Sequence, residues 1–211
     1  MLVQIRIAGI GGQGIKVAGT ILGEAATECG YHASQVVTYT PAARGGPIYS
    51  DIQVSDKPIQ YPVIEKPQVL ATIAPIALQT QIGCLSEWSE LVVDSRVYEG
   101  IKGQELPTNN IVTASFIRAA EKVGSPTVVN MVLLGFLEAN VLSLGLGKES
   151  LEGFVRSHEP VNRIGLGISL DLGITPLSFQ RSIEKSTPER FRKLNLRAFR
   201  VGWDMEPDQL P

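Results

Sequence analysis

The stretch IRIAGIGGQGIKVAGTILGEAA, Ile5 to Ala26, decides the fold of this chain. It opens with an apolar run that is typical of a strand buried on both faces of a parallel sheet. Ala18, Leu22 and Ala25 then recur at helical spacing, which predicts an amphipathic helix packed on that sheet. We therefore expect a strand, a tight glycine turn and a helix in direct succession.

The turn itself has the spacing Gly9-x-Gly11-x-x-Gly14, which matches the dinucleotide-binding fingerprint. Glycines allow a sharp turn and a close approach of the backbone to a ligand. The first N–H groups of the following helix have no partner inside the helix, and the positive end of its dipole lies behind them. This arrangement suits a phosphate, a pyrophosphate or a carboxylate.

Conventional NAD binding is disfavoured by the end of the second predicted strand. An NAD site places Asp or Glu at that position, about 20 residues after the glycine turn, to hold the ribose hydroxyls. The second predicted strand, Ser34 to Thr40, ends without an acid. A glycine-rich turn of this kind also occurs simply because a strand and a helix pack closely, and that interpretation stays open.

A second distinctive stretch is TYTPAARGGPIYSDIQVSDKPIQYPVI, Thr38 to Ile64. Pro41 and the Gly45-Gly46-Pro47 run exclude regular structure in its middle, and the alternation in IYSDIQVS predicts a half-buried strand after it. Arg44 is either a solvated loop residue or a guanidinium fork presented to a carboxylate or phosphate. In a doubly wound sheet both loops leave the carboxyl ends of neighbouring strands, so we expect them to lie close together.

The rest of the chain alternates strands and helices, which indicates an α/β fold: a Rossmann-like, mostly parallel sheet with flanking helices and a C-terminal helical region. Further strands are predicted at Gln68–Ala74, Leu91–Ser95 and Asn110–Thr113, and further helices at Pro75–Gln81, 115–123, 126–140 and 148–159. Thr175-Pro176 and Thr187-Pro188 each predict an N-cap followed by a first-turn proline. In the last helix the predicted apolar stripe is Phe191, Leu194, Ala198 and Val201. Asn162 to Ile174 permits no assignment.

Composition excludes several classes of function. The 211 residues fit one domain, and a formal charge of −2 without a basic cluster argues against a nucleic-acid partner. The apolar run from Met131 is interrupted by Glu138 and Asn140, so no membrane span is expected.

The chain enters its first strand without a signal peptide, and Cys29 and Cys84 are isolated, which predicts buried thiols in a reducing cytoplasm. An apolar share of 44%, with the apolar run Met131 to Leu146 and the glycine-rich segment near Leu166, predicts that the chain self-associates as a homo-oligomer when isolated or stays bound to partners.

No catalytic constellation is present in the sequence. His32 and His158 are far apart, no G-x-S-x-G nucleophile elbow occurs, and two cysteines are too few for an iron–sulfur cluster. The residues by themselves therefore indicate an anion-binding α/β domain without a self-contained active site.

Four segments together resemble the gamma subunit of 2-oxoacid:ferredoxin oxidoreductases. They are the glycine stretch from Ile5, YTPAARGGPIYSDIQVSDKPIQYP from Tyr39, VVNMVLLGFLEA from Val128 and KLNLRAFRVGW from Lys193. The SD-x-PI-x-YP ending of the second is closest to the 2-oxoglutarate branch, with the pyruvate, 2-oxoisovalerate and indolepyruvate branches as neighbours. The resemblance implies a domain at residues 1–147 and a C-terminal helical extension of the same domain at 148–211, where an insertion departs from the family pattern.

The resemblance also implies a function, cofactors and partners. The complex would oxidise and decarboxylate a 2-oxoacid to an acyl-coenzyme A and pass electrons to ferredoxin. Thiamine diphosphate, Mg and iron–sulfur clusters would belong to partner subunits, namely alpha, beta and a ferredoxin-like delta subunit. This chain would hold no cofactor firmly, would be inactive alone, and would cap the active site and guide coenzyme A.

The candidate ligand-binding residues are Gly9, Gly11, Gly12, Gln13, Gly14, Arg44, Gly45 and Gly46. The glycine turn could instead meet an acidic group on a partner subunit. Two further alternatives for the chain are an autonomous module that senses NAD or a related nucleotide, and an assembly protein in which the turn serves packing alone.

Overall fold

A computed structural model describes residues 1–40, 45–142 and 174–208. These residues form a mixed sheet of six strands in the order β2-β3-β1-β4-β5-β6. The strands are β1 (Leu2–Ile10), β2 (His32–Tyr39), β3 (Pro47–Ser55), β4 (Val69–Thr72), β5 (Glu90–Asp94) and β6 (Ile111–Ala114). The α/β fold class with a mostly parallel sheet is confirmed, since only β3 among the described strands runs against the others.

The position of β3 corrects two predictions. It lies between β2 and β1 and pairs antiparallel with both, so β1 and β2 are not neighbours as in a simple doubly wound sheet. The connection from β2 to β3 spans only residues 40–46, which is long enough for a hairpin and too short for a parallel crossover. Because β3 is an interior strand, Ile48 and Ser50 to Ser55 are all buried rather than half-buried.

Seven α-helices occur in the described ranges: α1 (Ile15–Glu28), α2 (Pro75–Gln81), α3 (Ser95–Glu99), α4 (Phe116–Val123), α5 (Val129–Leu137), α6 (Pro176–Ser186) and α7 (Glu189–Trp203). Shorter turns of 3₁₀-helix lie at Ile82–Cys84 and Pro126–Val128, and a π-helix follows α5 at Glu138–Leu142. The helix predicted at 148–159 and the boundary predicted at 147/148 lie outside the described residues.

Several helix ends follow the local sequence, and the start of α7 does not. Gly30 and Gly124, with φ of +90° and +117°, end α1 and α4 as left-handed residues. Thr175 caps α6, since its side chain accepts from the Ser178 N–H. Thr187 does not cap α7, because its hydroxyl donates to the Ile183 carbonyl at 2.6 Å and the N-cap position is occupied by Pro188.

The sheet is covered on both faces. Ile5 and Ile7 of β1 point toward a core that includes residues of α1, α4, α5, α6 and α7, whereas Ala8 points toward a smaller core with α2 and α3. Every residue of α5 and of the π-helix is buried, so packing within the chain explains the apolar run from Met131 as far as Leu142. That run therefore gives no support to self-association, which stays a prediction.

In α7 the buried face differs from the predicted stripe. The buried residues are Ala198, Phe199, Gly202 and Trp203, while Phe191 is 43% exposed. Gly202 and Trp203 face inward because α7 crosses α5 closely, a contact that helical periodicity alone does not reveal. No helix among the residues described is long and apolar enough to cross a membrane.

Candidate functional site

The glycine turn joins β1, which ends at Ile10, to α1, which begins at Ile15. Gly12 and Gly14 adopt positive φ values of +93° and +69°, a region that side chains other than glycine rarely occupy. Gly12 is exposed, and a Cβ added there would meet no atom within 4 Å. The two glycines thus turn the chain sharply and leave the space above Gly12 open.

Gln13 closes the turn against the end of the strand. Its backbone N–H donates to the Ile10 carbonyl at 3.1 Å, and its side-chain Oε1 accepts the Ile10 N–H at 2.9 Å. A Cβ on Gly9 would lie 2.6 Å from both Gln13 Oε1 and Ile15 Cδ1, so glycine at position 9 makes room for this arrangement. The side-chain oxygen of Gln13 is committed to the turn, and its Nε2 remains as the donor group.

Several backbone donors of the turn are free. In the described parts of the chain, no acceptor contacts the N–H groups of Gly12 and Gly14 or those of Ile15, Lys16 and Val17, which open α1. The first turn of α1 contains no acidic side chain that could occupy them. A helix N-terminus with free N–H groups is an anion-binding arrangement, because the helix dipole and the donors act in the same direction.

The second predicted loop meets the first, as expected. The Gly11 N–H donates to the Gly46 carbonyl at 3.2 Å, and a Cβ on Gly11 would lie 3.7 Å from the Gly45 nitrogen. The cause is the antiparallel pairing that sets Ile10 opposite Pro47, and not a pair of neighbouring parallel strands. Arg44 lies outside the described residues.

Asn130 contacts the glycine turn, a role that was not predicted from the sequence. It lies near the start of α5, and its Nδ2 donates to the Gly14 carbonyl at 3.1 Å across 116 positions of sequence. The available signal was its type, since asparagine is the one polar residue of the otherwise apolar helix VVNMVLLGFL.

The buried acid at the end of β5 does not supply a free carboxylate to this edge of the sheet. Asp94 accepts from the Arg96 N–H at 2.9 Å and from the Ile117 N–H at 2.8 Å, so it caps α3 and opens α4. Burial raises the pKa of Asp94 above its ordinary value despite these bonds. Its two oxygens are used by the fold.

The described residues contain no cluster of side chains suited to metal or thiol chemistry. Over the described ranges, no group of three His, Cys, Asp or Glu side chains could hold a metal ion. Cys29 and Cys84 are free and only partly buried, which corrects the prediction of buried thiols. Burial raises the pKa of the Cys84 thiol, although the nearby Arg6 charge acts to lower it, so this cysteine is not an activated nucleophile. The arrangement can bind an anion through its backbone.

A family model described as pyruvate ferredoxin/flavodoxin oxidoreductase matches residues 4–160. The chain belongs to this family. Among its relatives, subunit KorC of 2-oxoglutarate synthase from Methanothermobacter marburgensis is 36% identical over 162 residues, which are 72% of this chain and 86% of the relative.

Two solved structures have the same fold. The keto/oxoacid ferredoxin oxidoreductase gamma subunit from Geobacter sulfurreducens has a TM-score of 0.71 and 26% identity, covering 97% of this chain and 95% of that one. The 2-oxoglutarate:ferredoxin oxidoreductase from Magnetococcus marinus, solved with 2-oxoglutarate, coenzyme A and succinyl-CoA, has a TM-score of 0.69 over 95% of this chain and 30% of that chain. At 17% identity the second likeness concerns the fold alone.

The resemblance inferred from the sequence is thereby confirmed. The chain is the gamma subunit of a multi-subunit 2-oxoacid:ferredoxin oxidoreductase and is similar to subunit KorC of 2-oxoglutarate synthase. Membership in this class implies that cofactors are bound by partner subunits. Among the described residues, the glycine turn has a chemistry that suits a charged ligand.

Proposed function

We propose that the loop Gly11–Gly14, together with Arg44, Gly45 and Gly46, binds a phosphate group of coenzyme A at the entrance to the active site of the complex. The single observation that supports this assignment is the set of free N–H groups at Gly12, Gly14 and the first turn of α1. Coenzyme A is the phosphate-bearing substrate expected of an enzyme that makes an acyl-coenzyme A. Its phosphates match the charge that such a helix end attracts.

The composition of the loop agrees with this assignment. Gly12 leaves open space on the exposed side of the turn, so a phosphate can approach the backbone closely. Gly45 lies against Gly11, and its positive φ of +68° is one that glycine adopts readily. Because both residues are glycines, no side chain lies at this contact. The Arg44 guanidinium adds a charge-assisted donor from the same loop.

We assign the cofactors of the complex to its other subunits, on the basis of the chemistry that the reaction requires. Oxidative decarboxylation needs thiamine diphosphate with Mg and a chain of iron–sulfur clusters, which we place in the alpha, beta and ferredoxin-like delta subunits. Ferredoxin accepts the electrons. Within this assembly we assign binding and access to the gamma subunit, and the covalent chemistry to the cofactors of its partner subunits.

The test compares Gly12→Ala with Gly30→Ala in the reconstituted complex. The two glycines have nearly the same φ, +93° and +90°, and neither position meets an atom within 4 Å, so both variants add the same strain of about 1–2 kcal/mol. Only Gly12→Ala puts a methyl group into the proposed phosphate site. We expect the KM for coenzyme A to rise about 10- to 100-fold in Gly12→Ala, as for the loss of a charge-assisted hydrogen bond, and to stay unchanged in Gly30→Ala.

Arg44→Ala provides an independent measurement. It should also raise the KM for coenzyme A by about 10- to 100-fold while the KM for the oxoacid stays within about twofold. An effect on the oxoacid alone would move the loop to the oxoacid entrance. If Gly12→Ala prevents assembly of the complex and Gly30→Ala does not, the loop binds an acidic group of a partner subunit instead.

A further inference from the structure

Asn130 has an unusual setting. Only 4% of its surface is exposed, and it stands in a helix whose residues are all buried. A buried amide requires hydrogen-bond partners, because leaving them unpaired costs free energy. Its Nδ2 contacts the Gly14 carbonyl, so the partner lies in the glycine turn rather than in its own helix.

Gly14 and Asn130 are matched in shape. A Cβ on Gly14 would overlap the carboxamide of Asn130, with Nδ2 as the nearest atom. Gly14 also adopts the left-handed conformation, with φ of +69° and ψ of +26°. Glycine at this position therefore satisfies the backbone conformation and at the same time admits the amide of Asn130.

The contact fixes the direction of a donor. The Gly14 carbonyl and the Ile15 N–H belong to one planar trans peptide, so they point in opposite directions. The same carbonyl accepts the Ala18 N–H at 2.9 Å, which is the first hydrogen bond of α1. Two donors, one from α1 and one from α5, therefore hold this peptide plane and with it the Ile15 N–H.

We propose that Asn130 is a positioning residue that aims the Ile15 N–H, and with it the first turn of α1, at the bound phosphate. This inference rests on the proposed function of the glycine loop. Asn130 acts through the Gly14–Ile15 peptide and does not touch the ligand itself. The specificity of the site for an anion thus depends on a side chain of α5 as well as on the glycine turn.

The chain offers a matched control in Asn140. This asparagine is 1% exposed, and its Nδ2 donates to the carbonyls of Phe136 at 3.0 Å and Met205 at 3.3 Å. Asn140→Ala therefore removes a buried amide that donates to backbone carbonyls, as Asn130→Ala does, but it leaves the contact with Gly14 intact. A merely structural role for Asn130 predicts the same kinetics for both variants.

The experiment measures kcat and both KM values in the reconstituted complex for Asn130→Ala, Asn130→Asp and Asn140→Ala. We expect the KM for coenzyme A to rise about 3- to 10-fold in Asn130→Ala, with the KM for the oxoacid unchanged. Asn130→Asp should raise the KM for coenzyme A further, because a carboxylate cannot donate a hydrogen bond to the Gly14 carbonyl and repels an anion. Asn140→Ala should leave both KM values within about twofold.

Gly12→Ala separates the two ways in which the inference can fail. If Gly12→Ala raises the KM for coenzyme A while Asn130→Ala changes it no more than Asn140→Ala does, the positioning role is overturned and the phosphate site stands. If Gly12→Ala also leaves this KM unchanged, the phosphate site itself is wrong. Should Asn130→Asp fail to assemble, Asn130→Ala alone decides the outcome.

Discussion

Glu90 is a buried carboxyl group whose surroundings disfavour its charge. It has no exposed surface, and neither of its oxygens has a hydrogen-bond partner in the described structure. Burial raises its pKa from 4.5 to about 7, because a buried carboxylate loses its hydration. The folded chain therefore binds a proton at Glu90 more tightly than the unfolded chain does.

This shift gives a prediction about stability and pH. Well below pH 4.5 the Glu90 carboxyl is neutral in both the folded and the unfolded chain, so its ionisation does not affect stability. As the pH rises from 4.5 to about 7, the carboxyl ionises in the unfolded chain first, and the free energy of unfolding falls. The loss amounts to about 3 kcal/mol at neutral pH. Glu90→Gln should remove this loss, so its excess stability over the natural chain grows from pH 5 to pH 8 in urea unfolding.

Glu87→Gln is the control for that measurement, since Glu87 lies three residues away and is exposed. It should leave the pH dependence as it is in the natural chain. A constant difference between Glu90→Gln and the natural chain across this pH range would show that Glu90 ionises in the folded state as it does in a peptide.

Arg6 illustrates the opposite case, a buried charge with a partner at each of its three guanidinium nitrogens. Its guanidinium makes two bonds to Asp51, at 2.6 and 2.7 Å, one to Gln81 at 2.9 Å and one to the Ile64 carbonyl at 2.7 Å. Sequence reading cannot find such a cluster, because Arg6 looks like an ordinary interruption of an apolar strand. The partners come from β3, α2 and the segment after β3, and only folding brings them together.

At the scale of elements, the crossing of α5 and α7 depends on two glycines. A Cβ on Gly135 would overlap the Phe199 carbonyl and the Trp203 nitrogen, and a Cβ on Gly202 would overlap the Val132 carbonyl. The two helix backbones therefore pack in direct contact. Helix α7 in this way buries α5, whose first turn holds the glycine loop through Asn130.

We expect Gly202→Ala to destabilise the chain by about 1–3 kcal/mol or more, because the methyl group forces two packed backbones apart. Gly83→Ala is the matched control, since nothing lies within 4 Å of its added Cβ and its φ is not positive. Urea unfolding midpoints of the two variants measure the difference. Equal midpoints would mean that the helices can separate without loss of packing.

At the scale of the whole molecule, the gamma subunit should have no activity by itself. Cys29 and Cys84 are both free in the structure, and the chain has two cysteines in total, too few for a cluster of four thiolates. We expect the purified chain to show no oxidation of 2-oxoacids and no visible iron–sulfur absorbance. Turnover by this chain without partner subunits would contradict its assignment as a non-catalytic subunit.

The sequence by itself determined the local features of the molecule, its fold class and its family. Apolar runs, proline positions and glycine stops were sufficient for the strands, for most helix ends and for the α/β class, because these features depend on neighbours within one or two turns. The glycine spacing also located the loop with free N–H groups, and four motifs together identified the family. All of this information is local or lies in motifs that can be read along the chain.

The tertiary structure alone decided the rest. Insertion of β3 between β2 and β1, the contact of Gly11 with Gly46, the amide of Asn130 on Gly14 and the inward face of α7 all join residues far apart in sequence. Their energies come from packing and from hydrogen bonds that exist only after the chain has closed on itself. A residue such as Asn130 carries no local mark of its partner, since the bond to Gly14 joins residues 116 positions apart in sequence.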